Sequence, residues 1–347
     1  MSADMGLTTP DEGAGSAFDR VQKDGVLAQF QHVLHRFPVA SPTLVLVLSC
    51  IVFIFFDNGK FQGAPNIGNT LNQIAVPGCL AIGQTLIILT AGIDLSVGTA
   101  MIMCALVAGK LGVDGTNGVV ALLIGILVGI TLGAVNGLLV TRLKLPPFIV
   151  TLGTYYIFNS LGLIYSEAKN FDKKDMPSIL SWTGKEIHIG SITITTGVVM
   201  MLALFAIFAW VLANTGWGRH VYAIGDDPEA ARLAGINVDR VQLSVYMAAG
   251  FIYGMAAWIQ IGRAGGSSSN AATDVNLITI TAVVIGGISL FGGRGLIWGA
   301  LIGALITQVF NNGLGLAGVN TYYKTLAIGT LIIVAVGLDQ WIRRLRK

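Results

Sequence analysis

The sequence predicts an all-α integral membrane protein of about ten transmembrane helices. Three observations lead there: 54% of the 347 residues are hydrophobic, only 11% are charged, and glycine occurs 45 times. An ordinary soluble domain carries about 25% charged residues and about 7% glycine, so most of this surface is built to avoid water. Each helical crossing of a hydrocarbon core about 30 Å thick uses about 20 apolar residues, and ten crossings fit the chain with little left over. The composition argues against a soluble enzyme and a disulfide scaffold. A formal net charge of +3 offers no basic surface for nucleic acid.

Taken in order, residues 1–37 are a polar tail of mixed charge. Within it Phe18, Val21, Leu27, Phe30, Leu34 and Phe37 keep roughly helical spacing, which suits either a short helix on the membrane surface or a disordered segment. The tail is too long for a cleavable signal peptide, and Asp57-Asn58-Gly59-Lys60 offers no small-residue cleavage site. A transmembrane region over 38–340 follows, with apolar runs near 39–56, 70–91, 95–111, 118–140, 147–165, 192–213, 241–262, 275–291, 296–313 and 321–338; residues 341–347 are a basic tail. Lipid offers the backbone no hydrogen-bond partners, so each run is a helix or lines a cavity enclosed by protein.

Basic residues orient the bundle. With the tail residues, thirteen basic residues, among them Arg142, Lys144, Arg219, Arg232, Arg240 and Arg294, fall on the same side as both termini; the other side holds eight, Lys60, Lys110, Lys169, Lys173, Lys174, Lys185, Arg263 and Lys324, four of them in one longer loop, 166–190. The positive-inside rule then puts both termini in the cytoplasm, as an even number of crossings requires. Cys50, Cys79 and Cys104 sit inside apolar runs with no metal-ligand spacing, and all four histidines lie outside them, so no metal site is expected.

Two glycine-rich segments match each other. Gly92-Ile93-Asp94-Leu95-Ser96-Val97-Gly98 parallels Gly287-Ile288-Ser289-Leu290-Phe291-Gly292-Gly293, 195 residues later, which predicts a two-fold internal repeat with irregular backbone at matching places. Gly125, Gly129, Gly133 and Gly137 recur every fourth residue, as do Gly299 and Gly303, a spacing that lets helix backbones touch. Asp94 stands nearest the middle of an apolar stretch. A carboxylate there is expensive unless protein or water meets it; it is expected to cap a helix beginning near Leu95 with help from Ser96 and to brace the loop, the competing role being contact with sugar or an ion in the pathway.

The cytoplasmic loop 214–240 contains a complete helix specification. Asp227 suits the N-cap, Pro228 the first helical position, Glu229 the positive dipole end and Gly235 a left-handed stop. The small residues Ala230, Ala231 and Ala234 would let another protein approach closely.

Glu229-Ala230-Ala231, three residues and then Gly235 resembles the EAA-x3-G loop with which ABC importer permeases dock into their ATP-binding subunit. The runs Gln84–Gly98, Asn136-Gly137, Leu145–Thr154 and Gly286–Gly295 resemble the membrane subunit of ribose, xylose and fructose ABC importers, and the likeness covers roughly 40–345. Gly218–Tyr222 and Asp226–Ile236 are most similar to fructose permeases. The resemblance implies a type II-like permease of the bacterial inner membrane, working as a pair of permease chains, with an ATP-binding subunit below and a periplasmic sugar-binding protein above. Asp227, Pro228, Glu229, Ala230, Ala231, Arg232 and Gly235 would couple ATPase to transport, and Gly92, Asp94, Ser96, Gly98, Gly287, Gly292 and Gly293 are the family-motif loops.

Lys60, Lys110 and Lys185 follow glycine but lack the rest of a phosphate-cradling loop, so ATP and magnesium are expected on the partner and no cofactor on this chain. A sugar path needs many weak, uncharged hydrogen-bonding groups. Gln84, Asn136, Thr154, Asn159, Gln308 and Asn311 are the candidates, with Thr85, Thr151, Thr307 and Asn312 beside them; interhelical bonding is the competing use of each. Tyr155, Tyr246, Tyr253 and Trp258 could stack on sugar or simply pack. The rival function is an ion-coupled secondary transporter or channel, against which stands the scarcity of intramembrane carboxylates.

Overall fold

A computed structural model describes residues 39–56, 59–269, 274–327, 329, 330 and 333. In chain order they form α1 (Ala40–Phe56), α2 (Ala64–Leu89), α3 (Val97–Val113), α4 (Gly118–Arg142), α5 (Pro147–Ser166), β1 (Phe171–Asp172), β2 (Glu186–Ile189), β3 (Ile192–Thr195), α6 (Thr196–Asn214), α7 (Gly216–Asp226), α8 (Pro228–Leu233), α9 (Val238–Ala264), β4 (Gly266–Ser267), α10 (Val275–Ile285) and α11 (Ile297–Leu316). The tails 1–37 and 341–347 lie outside the described residues.

Local chemistry fixes the ends. Pro65 opens α2; the Asn117 side chain accepts from the Val119 amide (3.0 Å) at the start of α4 and Asn237 from Arg240 (3.0 Å) at the start of α9; Gly265, at φ +69°, ends α9.

The ten expected runs resolve differently. Among the described residues, α2, α4, α5, α6, α9 and α11 are long and apolar enough to cross a membrane, and α1, α3 and α10 are shorter apolar helices. The run 192–213 opens as β3 before α6 begins, because β2 and β3 pair as an antiparallel hairpin. The run 275–291 breaks after Ile285, where Gly286 and Gly287 turn the chain. The last run is helical over 321–327 and falls partly outside the described residues.

The bundle is layered by burial. Of α2's most apolar stretch 78% is buried, against 28% of α5's, so α2 is the axis and α5 a lipid-facing wall. Exposed Leu123, Leu127, Ile149, Ile157, Ile164 and Trp210 on α4, α5 and α6 belong to that apolar outer belt. Because lipid tails are as apolar as leucine, helices here are held by close packing rather than by a hydrophobic drive. The glycine ladder of α4 supplies it: Gly129 lies against the Gly250 carbonyl and Gly133 against the Tyr246 carbonyl of α9, while Gly125 meets Ala108 and Cys104 of α3. Gly299 and Gly303 bring α11 onto the backbone of Gly286 and Ala282 in the same way.

Gly133→Ala therefore forces a methyl group into backbone that cannot swing aside. A loss of about 1–3 kcal/mol is expected, read as a lower melting temperature of the detergent-solubilised protein; an unchanged melt would mean that this seam is not close-packed.

Candidate functional site

Three irregular segments meet at one end of the bundle: the loop 90–96 between α2 and α3, the turn 286–295 between α10 and α11, and the α7–α8 arm. The loop carries the buried carboxylate. Asp94 is fully buried; its Oδ1 accepts from the amide (2.7 Å) and hydroxyl (2.6 Å) of Ser96, and its Oδ2 from the Tyr253 hydroxyl (2.8 Å) of α9. Helix α3 starts only at Val97, and Ser96 occupies its N-cap position without a side-chain cap bond. Asp94 is thus not the N-cap of α3, but it fills the loop-bracing half of its expected role: it closes the loop on itself and pins it to α9.

Other helices complete the brace. Asn136 of α4 donates to Ser96 Oγ (2.9 Å), Thr151 of α5 to the Ile93 carbonyl (3.0 Å), and the Gly98 amide in the first turn of α3 donates to Asn276 Oδ1 (2.6 Å) of α10. With its amide turned so that both groups pair, Gln84 donates to the Asp94 carbonyl (3.1 Å) and accepts from the Asp94 amide (3.3 Å). A side chain at Gly98 would collide with Asn276, and one at Gly92 would meet Ile87. Asn276 is the member of this set that sequence reasoning missed; its only signal was an amide in the first turn of a short apolar run.

The turn 286–295 shares part of this geometry. Ser289 Oγ accepts from the amide two residues on, Phe291 (3.2 Å), as Asp94 Oδ1 does from Ser96. The left-handed residue closing the preceding helix is Ala91 (φ +59°) in one segment and Gly287 (φ +82°) in the other, so the register differs by one at the helix end and realigns at Asp94 and Ser289.

The arm locks onto both segments. Gly225 of α7 lies against the Leu89 carbonyl at the end of α2 and against the Gly293 amide, and that amide donates to the same Leu89 carbonyl (2.9 Å). Gly292 packs on the Gly225 carbonyl and on Ala91; Tyr222 donates its hydroxyl to the Gly295 carbonyl (2.9 Å), and Arg294 reaches Asp226 (3.5 Å). Backbone meets backbone at this junction, which is why glycine is required on each side of it.

Beyond the junction α8 is as the sequence specifies. Asp227 Oδ1 accepts from the amides of Glu229 (2.9 Å) and Ala230 (3.0 Å), Pro228 opens the helix, and Gly235 follows it at φ +87°. Glu229, Ala230, Arg232 and Ala234 are exposed. Ala231 is not part of that open face: it is buried against Ile224 and Val238, which seats the helix. Leu233, between Arg232 and Ala234, is 91% exposed. An open cleft of about 340 Å³ beside it is lined by Arg232, Gly235, Ile236, Asn237, Val238 and Asp239.

The other candidates scatter. Gln84, Asn136 and Thr154 lie in the packed interior, the first two bracing the loop as above, and Thr154 bonds only the Thr151 carbonyl (3.4 Å). Asn159 is half-buried on α5. Gln308 and Asn311 stand at the far end of α11. Tyr246 and Tyr253 are buried among helices and Trp258 bonds the Ile179 carbonyl (2.9 Å), so these three rings pack rather than present a stacking face.

Residues 66–336 match the family described as branched-chain amino acid transport system / permease component. The chain is 46% identical to the fructose import permease protein of Rhizobium meliloti, over 95% of this chain and 92% of that one. It is 38% identical to the ribose import permease protein of Bacillus subtilis (strain 168), over 92% and 95%. Identity to the galactose/methyl galactoside import permease protein of Escherichia coli (strain K12) is 34%, over 85% and 92%. No solved structure gives a significant match. The chain belongs to this family of transport permeases.

Proposed function

From that membership we propose that the chain is the membrane permease subunit of an ATP-driven ABC importer, forming the path for a monosaccharide of the ribose, xylose and fructose class handed over by a periplasmic binding protein. The observation that carries the mechanism is the junction at Gly225. A push on α8 by an ATP-binding subunit has no slack to take up before it reaches the end of α2 and the turn 286–295, because the contacts are backbone to backbone. Closely packed interiors move between discrete arrangements rather than deforming smoothly, so such a push can tip the bundle from one side's access to the other's.

In this reading the chain crosses the bacterial inner membrane about ten times with both termini in the cytoplasm, its two glycine-rich turns are the matching points of an internal repeat, and two permease copies enclose the path. ATP and magnesium belong to the partner. The carboxylate of Asp94, engaged by three donors, is not free to relay a proton, which weighs against ion-coupled transport.

Right-side-out vesicles or proteoliposomes with the ATP-binding subunit facing an ATP-loaded lumen and the binding protein outside should accumulate sugar only with ATP, and stop when the binding protein is omitted. Gly235→Val tests the arm: a branched residue at φ +87° is strained by roughly 1–2 kcal/mol, and Glu229→Lys reverses the charge at the start of α8. Both variants are expected to reach the membrane in normal amounts and to hydrolyse ATP without matching uptake. Sugar movement by the purified chain with no nucleotide would overturn the proposal.

A further inference from the structure

At the end of α2 opposite the Gly225 junction, uncharged amides gather on facing helices, most of them bonded across the seam and Asn311 not. Asn66, Thr70 and Gln73 are spaced to share one face of α2, and Gln308, Asn311 and Asn312 one face of α11. Gln308 donates to Gln73, and Asn312 Nδ2 donates to both Asn66 Oδ1 (2.7 Å) and Thr70 Oγ1 (2.7 Å), so the two helices are stapled by side chains alone. Beside the staple an open cleft of about 210 Å³ is lined by Gln73, Asn311, Asn312, Gly315 and Lys324. Asn311 is exposed there, and its side chain makes no hydrogen bond among the described residues. An amide facing hydrocarbon would lose its water partners for nothing, so this face lines water or a solute.

We propose that this cleft is a sugar subsite at the outer mouth of the path, holding a neutral polyhydroxylated ligand through Gln73, Asn311 and Asn312, with Lys324 as a positive rim that turns away cations. The assignment rests on the importer reading above. Each amide offers a donor and an acceptor, as each sugar hydroxyl does. Neutral hydrogen bonds contribute little net free energy each, so a ligand held by a few of them is oriented yet free to move on. A subsite made of carboxylates or of aromatic stacking would hold longer, and neither lines the cleft among the described residues.

Asn311 is the residue to change, because the other two amides also staple helices. In vesicles holding the complete transporter, Asn311→Leu should lower maximal uptake of labelled D-fructose or D-ribose by about three- to tenfold, the loss of one hydrogen bond, while Asn311→Gln restores most of it. Independently, Asn311→Cys should react from the outside with a membrane-impermeant anionic thiosulfonate faster than with its cationic counterpart, owing to Lys324, and either sugar should slow the reaction; the unsubstituted chain is the control for its own cysteines. A thiol that sugar does not protect, or wild-type uptake by Asn311→Leu, would overturn the subsite. If the unsubstituted assembly shows no ATP-dependent uptake at all, the importer reading falls instead.

Discussion

Asp94→Leu is expected to keep the protein from assembling, whereas Asp94→Asn should reach the membrane and transport. Leucine removes the acceptor for three buried donors at once: the Ser96 amide, the Ser96 hydroxyl and the Tyr253 hydroxyl. Each buried donor left unpaired costs about 1–3 kcal/mol. Their sum is a large part of the 5–15 kcal/mol that keeps a typical protein folded. The Ser96 hydroxyl regains an acceptor only if the Asn136 amide turns to present its buried Oδ1, which gives up the present bond from Nδ2 to Ser96 Oγ. Asparagine keeps an oxygen for the two Ser96 groups and offers its amide to the Tyr253 oxygen, with the phenol hydrogen turned aside. The comparison is read from the amount of monodisperse protein extracted from membranes and from its melting temperature. Normal amounts of Asp94→Asn with transport abolished would show that the charge itself takes part in the cycle.

This pair of variants also marks where sequence reasoning stops. The α8 arm was legible because its determinants are local: the Asp227 cap, Pro228 and the left-handed Gly235 all act within one turn of the helix they define. Helix positions were legible for the same reason, since an apolar run must be long enough to cross lipid whatever it packs against. Asp94 was legible as a loop brace, but its tertiary partner was not: Tyr253 lies 159 positions from it, and Asn276 lies 178 positions from the Gly98 amide it accepts from. Tyr253 read as a packing or anchoring ring with a sugar platform as the rarer use, and only the fold assigns its hydroxyl. The path candidates were ambiguous for a related reason. A lone amide in an apolar run looks the same whether it bonds to a loop, as Gln84 and Asn136 do, or opens on a cleft, as Asn311 does. What separates the two is whether several such residues share a face on adjoining helices, and that pattern includes Asn66 and Gln73, which lie at the edge of an apolar run that actually begins at Ala64.

Gly225→Val should uncouple the arm from the bundle without removing either. The position has no room for even one methyl group: a Cβ there runs into the Leu89 carbonyl and the Gly293 amide, both backbone, and both engaged with each other. Relief requires α7 to lift away, which opens the Gly293 to Leu89 hydrogen bond, withdraws Gly292 from Ala91, and drags the Tyr222 hydroxyl from Gly295. Overpacking of this kind costs about 1–3 kcal/mol, enough to shift a two-state balance roughly tenfold or more but not enough to unfold a bundle held mainly by α2, α4 and α9. Position 225 lies on the inward side of α7, whereas α8 keeps its own cap and its exposed face, so a docking partner should still find its surface. The expected result is therefore ATP hydrolysis near the normal rate with sugar uptake down about tenfold or more. Valine at Gly216 is the matched control: there a Cβ meets only the end of the Arg219 side chain, at 3.8 Å. Loss of uptake with both variants would place the defect in α7 folding rather than at the junction. Normal uptake with Gly225→Val would mean that force from α8 enters the membrane by another route, the remaining contact of α8 with α9 through Ala231 and Val238 being the first to test.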